Sequence, residues 1–181
     1  MDATADATMQ HERESRHRRP VALVHGRTAL SFTWQGDRWR HEVRLPATAW
    51  HSLEAAGPTG DPRWPDSPAI VELSRVEVAD RPAIVGVGLA GRSHFSLSVV
   101  PHPHREDTLV FEIACRIVEP PGWLGSSYRT AAEDGAVVRV AADPGEPEAG
   151  LPRTVRWAYT IGPGGIAGVA CGGPADRSHF A

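Results

Sequence analysis

The sequence predicts an all-β domain, an antiparallel β-sandwich or barrel of jelly-roll-like kind with at most one short helix. Three observations point there. Apolar residues recur at alternate positions in segment after segment, the side-chain period of a half-buried strand. Glycine, proline, aspartate and serine punctuate the chain between those segments, at the close spacing of short strands joined by turns. Long stretches with the helical period are absent, so strands do not alternate with helices as an α/β fold requires. Roughly nine or ten strands can be counted on this basis.

Residues 1–20 are polar and hold a mixed-charge cluster from His11 to Arg19. They cannot bury enough apolar surface to offset the entropy of ordering, so a disordered tail is expected. Arg16, Arg18 and Arg19 suggest a nucleic-acid arm, but Glu12 and Glu14 dilute it and no aromatic residue is interleaved. No nucleic-acid partner is expected. The β-sandwich domain is placed at 21–161. Val21–His25 is a short strand that Gly26-Arg27 turns into 29–35, where Phe32 and Trp34 share a face. Gln35-Gly36-Asp37-Arg38 reads as a hairpin turn leading to 38–45, in which Trp39, His41, Val43 and Leu45 alternate. Glycine supplies the positive φ of such a turn, and tryptophans flanking it pack across the strands.

The break at 46–68 is the longest before the C-terminal segment. Ala47–Ala56 reads as two helical turns with Trp50 and Leu53 on one side, and 57–68 is turn chemistry throughout. A loop this long serves function or closes the core, and it is read here as a flap. Ile70–Ala79 is a strand whose apolar parity changes between Leu73 and Val76, which predicts a bulge near Ser74-Arg75. After Asp80-Arg81-Pro82 the chain returns over 83–90, with Val85, Val87 and Leu89 aligned. Gly86 and Gly88 there mark the close approach of another backbone or side chain. The middle hairpin sets Phe95, Leu97 and Val99 beside Leu109, Phe111, Ile113, Cys115 and Ile117, across a loop at 101–107. A second proline-rich break holds Trp123, short strands follow at 126–130 and 136–142, and 153–161 alternates Val155, Trp157, Tyr159 and Ile161. The glycine-rich segment 162–181 offers an edge strand near Ile166–Cys171.

Composition narrows the function classes. With 181 residues, 41% hydrophobic and 23% charged, the chain suits one domain with a core of useful size. A formal net charge of −3 gives no field that draws nucleic acid or an anionic membrane. No run approaches the ~20 apolar residues of a membrane helix, and the first residues carry no signal-peptide stretch, so a cytoplasmic protein is expected. Lysine and asparagine are absent, as the codons of a GC-rich bacterial genome would produce. The arginine bias is therefore no sign of phosphate recognition. Cys115 and Cys171 form no disulfide framework.

Nucleophile-elbow, P-loop, dinucleotide-binding, zincin and C-x-x-C signatures are all missing, and no cofactor is predicted. Two groups of residues carry candidate chemistry. His102, His104 and Asp107 offer nitrogen and oxygen donors for Zn²⁺ or a similar ion, although a solvated hairpin tip is the simpler reading. Among six tryptophans, Trp50, Trp64 and Trp123 sit in breaks between strands. There an exposed indole stacks on a sugar or partner side chain, while a buried one plugs the sandwich end. If each strong run crosses the sandwich once, 46–68, Gly91-Arg92 and 119–124 share one end. Asp37, His102 and His104 then share the other. The leading expectation is a non-catalytic module binding a carbohydrate or protein partner through Trp64, Trp123, Arg92 and Trp50. The alternatives are a metal-dependent β-barrel enzyme using His102 and His104, and a purely structural or assembly domain.

Overall fold

The computed structural model describes residues 18–55, 57–131, 135–143 and 150–169. Twelve strands follow in chain order: β1 (Val21–His25), β2 (Thr28–Trp34), β3 (Trp39–Arg44), β4 (Ala49–Ser52), β5 (Ile70–Val78), β6 (Arg81–Ala90), β7 (Ser93–Pro101), β8 (Leu109–Ile117), β9 (Gly125–Thr130), β10 (Val137–Ala141), β11 (Arg153–Gly162) and β12 (Gly165–Val169). They make two six-stranded antiparallel sheets, ordered β1-β2-β3-β4-β9-β10 and β12-β11-β8-β7-β6-β5. The sheets pack face to face as a β-sandwich, and neither closes into a barrel. The first four strands meander through one sheet and the next four through the other. The chain then crosses back to lay β9 and β10 beside β4, and crosses again to lay β11 and β12 beside β8.

Turn chemistry sets this order. Gly26 (φ 57°) and Gly91 (φ 56°) each open a two-residue Gly-Arg turn, between β1 and β2 and between β6 and β7. Positive φ at the first turn residue matches the right-handed twist of the flanking strands. Between β5 and β6, Ala79 (φ 49°) and Asp80 (φ 60°) both adopt the left-handed region, the pattern of a type I′ turn.

The core lies between the sheets. Leu30, Phe32 and Val43 from one inner face meet Val99, Phe111 and Ile161 from the other, all completely buried. Trp34 and Trp39 pair across β2 and β3 with ring centroids 5.4 Å apart, edge to face. Cys115 is a buried free thiol, pushed up to about 12 by burial. Arg18, just ahead of β1, donates from Nη1 to the Val71 carbonyl at 2.7 Å and covers the Trp34 ring at 3.9 Å. That arginine is engaged with the domain itself. The rest of the expected tail, residues 1–17, lies outside the described residues, as do Cys171 and the end of the glycine-rich segment.

Two local expectations are corrected, and one strand's facing is settled. The segment expected to form two helical turns is β4, and no helix occurs among the described residues. Its alanines, Leu53 and Glu54 favour helix, but it is flanked by β3 and β9, whose free edges it pairs. Pairing outweighs local propensity. The irregularity in β5 falls between Ile70 and Glu72, not near Ser74-Arg75. On β6, Val87 and Leu89 point outward, each 51% exposed, whereas Ile84, Gly86, Gly88 and Ala90 face the core. The glycines explain this. A Cβ on Gly88 would fall 1.7 Å from the Ala69 carbonyl oxygen, and one on Gly86 would fall 2.6 Å from Leu73 Cδ2. The chain entering β5 lies where β6 side chains would otherwise point.

Candidate functional site

At the end bearing the long 53–69 loop, Trp64 is 3% exposed and Trp123 is half-buried against the core. The Trp64 ring lies on Gly122 and the Trp123 ring on Gly57 and Gly125, at spacings that leave no room for a Cβ on Gly125. Trp123 Nε1 donates to the Asp66 carbonyl at 3.3 Å. Trp50, opposite Val43 on β4, packs against the core from the sheet interior, and its Nε1 is buried without a partner among the described residues. Trp64 is sealed within this end of the sandwich, while Trp50 and Trp123 are half-buried against the core. Arg92 stays exposed at the β6–β7 turn, while Arg63 lies against Gly91 and pairs with Glu119 at 3.1 Å. Thus 57–68, 91–92 and 119–124 meet at one end.

Asp37 also belongs to this end, contrary to the expectation that put it with His102 and His104. Arg38 beside it donates from Nη1 to the Glu54 carbonyl at 3.1 Å. The unread strand β4 adds one crossing of the sandwich and reverses the parity of everything before it. At the far end, Asp107 (φ 55°) is committed to the β1–β2 turn. Its Oδ1 accepts from Arg27 N at 2.5 Å, and its Oδ2 accepts from Arg27 Nε and Nη2 at 2.9 and 2.8 Å. These bonds hold its carboxyl below the usual range. His102 Nδ1 accepts from the backbone N–H groups of His104 and Arg105, both at 3.1 Å, and the Arg105 guanidinium covers Nε2 at 3.0 Å. Asp107 and His102 are thus engaged within the fold, the His104 ring lies edge-on to His102 with centroids 6.3 Å apart, and no three His, Cys, Asp or Glu side chains converge among the described residues.

The open concavity lies beside the tryptophan plug. It has a volume of about 590 Å³ and is lined by the β2–β3 turn (Gln35, Asp37, Arg38), by Arg40 and Arg129, by 52–55 and by Asp66. Arg40 and Arg129 stand on the outer face of β3 and β9 and are exposed. Arg38 pairs with Asp37 at 2.7 Å. Asp66 accepts from Ser127 Oγ at 3.3 Å and lies 3.9 Å from Arg139 Nε.

The floor of this cleft is a polar chain running into the core. At the end of the β3–β4 ladder, the Ser52 hydroxyl replaces a backbone partner: His41 N donates to Oγ and Oγ donates to the His41 carbonyl, both at 2.9 Å. Ser52 Oγ also contacts Glu54 Oε1 at short range. A serine hydroxyl has one proton to give. Its proton is shared between the His41 carbonyl and Glu54 Oε1. Burial raises the Glu54 carboxyl to about 7 against the opposing pull of Ser52, Arg40 and Arg38. Deeper in, His41 Nε2 lies 2.8 Å from Tyr128 Oη, which lies 2.6 Å from Tyr159 Oη on the opposite sheet. Burial, aided by Arg40, lowers the His41 imidazole to about 3, so it is neutral.

His41 on the core face was readable from strand alternation, and so was the Gln35–Arg38 turn. Ser52, Glu54, Arg129 and Asp66 were not. Their grouping depends on β4 lying between β3 and β9, which no local signal announces. Compared with known protein families, with curated proteins and with solved structures, the chain matches none. The class established is therefore an architectural one: an antiparallel β-sandwich with a polar cleft at one end.

Proposed function

We propose that this β-sandwich is a non-catalytic binding module whose cleft takes a short carbohydrate or an equally polar segment of a partner protein. One observation carries the reading. The cleft of about 590 Å³ presents hydrogen-bonding side chains from the β2–β3 turn, β3, β4, the 53–69 loop and β9 around one space. Its size falls in the range of small-ligand sites, and convergent polar groups fix a ligand's orientation. Binding is assigned to this cleft rather than to the Trp64–Trp123 plug beside it. We place the module in the cytoplasm; its buried free thiol suits a reducing compartment, and no helix among the described residues is long and apolar enough to cross a membrane.

The test is titration calorimetry against short oligosaccharides, with Leu53→Trp as the blocked variant, because Leu53 lines the cleft. The variant is expected to lose binding while keeping its melting temperature. A ligand that binds wild type and variant alike would place the site elsewhere.

A further inference from the structure

We propose that the cleft selects an anionic saccharide, whose carboxylate or sulfate oxygens lie between the Arg40 and Arg129 guanidiniums, with Glu54 as the group that admits or repels it. This rests on the cleft reading above and narrows it to one ligand chemistry. The charges around the cleft are unequal in how far they are already satisfied. Arg38 is paired with Asp37, and Asp66 is held by Ser127 with Arg139 nearby. Arg40 and Arg129 make no ion pair or side-chain hydrogen bond among the described residues, yet both line the cleft. They stand on strands separated by β4 alone, about 10 Å apart across the sheet by strand spacing and staggered by roughly 7 Å along it. Arg129 shares a row with Glu42 and His51, and Arg40 lies two residues along β3 towards the loop end. Two exposed forks on one face, set more than a single sugar ring apart, suit oxyanions carried on successive units of a saccharide.

Glu54 sets the sign of the space between them. It is faced by Arg38 from the β2–β3 turn, Arg40 from β3, Asp66 from the 53–69 loop, Ser52 from its own segment and Tyr128 from β9. With Glu54 protonated, three guanidiniums face two carboxylates and one neutral acid, and the lining carries net positive charge. With Glu54 ionised, the lining is neutral and a carboxylate stands inside the anion's site. Anion affinity therefore falls as pH rises through about 7.

The experiment uses the full chain and three probes: tetragalacturonic acid, its methyl ester (the same chain without charge) and a sulfated oligosaccharide. Sulfated and carboxylated probes separate the two oxyanion sources. At pH 6 the acid or the sulfated probe should bind at least about tenfold more tightly than the ester, the worth of one charge-assisted hydrogen bond. Arg40→Gln and Arg129→Gln should each remove most of that preference. Raising pH to 8.5 should weaken wild-type binding by about tenfold and leave Glu54→Gln unchanged. Equal binding of acid and ester would overturn the anionic assignment while leaving the cleft as a neutral-sugar site. Binding of none of the probes would overturn the saccharide reading with it. Inorganic sulfate binding as tightly as the saccharides would overturn the saccharide half alone.

Discussion

Glu54 and His41 titrate in opposite senses, and their windows overlap. The Glu54 carboxyl is raised from 4.5 to about 7, so between those values the folded chain holds a proton that the unfolded chain has released. Stability falls with rising pH across that window. The His41 imidazole is lowered from 6.5 to about 3, so between those values the unfolded chain takes a proton that the folded chain refuses. Stability rises with pH there. Each slope approaches 1.4 kcal/mol per pH unit, roughly, at full occupancy. From about 4.5 to 6.5 the two contributions cancel. Glu54→Gln removes one of them, so its melting temperature should climb with pH over that range while wild type stays nearly flat. Parallel pH profiles from differential scanning calorimetry would contradict the raised Glu54 carboxyl. At lower pH the Asp107 carboxylate, held low by Arg27, adds its own loss as it protonates below its unfolded value.

At the scale of elements, two positions carry opposite predictions. Ala79 occupies a left-handed turn position (φ 49°) that costs an L-residue with a Cβ roughly 1 kcal/mol. Ala79→Gly should therefore stabilise the domain by about 0.5–1 kcal/mol, visible as a rise of a few degrees in melting temperature. Gly88→Ala places a Cβ 1.7 Å from a backbone oxygen, which neither chain can relieve without unpairing the start of β5. A loss of at least ~2 kcal/mol in urea unfolding is expected. The same strands show what could be read from the sequence. Close approach at Gly86 and Gly88 was legible, because glycine inside an apolar run has few other uses. The direction in which Val85, Val87 and Leu89 point was not, because alternation fixes that they share a face without fixing which face is inward. Strand β4 was illegible for a different reason. Four residues of mixed propensity become a strand only because β3 and β9 flank them, and the site's key residues ride on that pairing. So the sandwich was readable from periodicity, while the cleft, assembled from distant segments, was not.

Across the whole molecule, the two sheets are tied by more than apolar packing. Tyr128 from one sheet meets Tyr159 from the other through their hydroxyls at 2.6 Å. Phe111 stacks on Tyr159 at 5.1 Å and on His41 at 5.6 Å. Directional contacts across the interface fix how one sheet sits on the other. Tyr128→Phe keeps the ring volume but leaves the His41 nitrogen and the Tyr159 hydroxyl short of a buried partner, so a loss of about 1–3 kcal/mol is expected in denaturant unfolding.

The sealed interior also turns Cys115 into a clock. Its sulfur is fully shielded and its thiolate is suppressed by burial, so an alkylating reagent has nothing to attack until the sheets part. In a Cys171→Ser background, every labelling event then records one opening of the sandwich. At low reagent concentration the labelling rate reports how often the open form is populated; at saturating reagent it reports how fast the molecule opens. A labelling rate that matches a free thiol in native buffer would mean that the sheets breathe freely around Cys115.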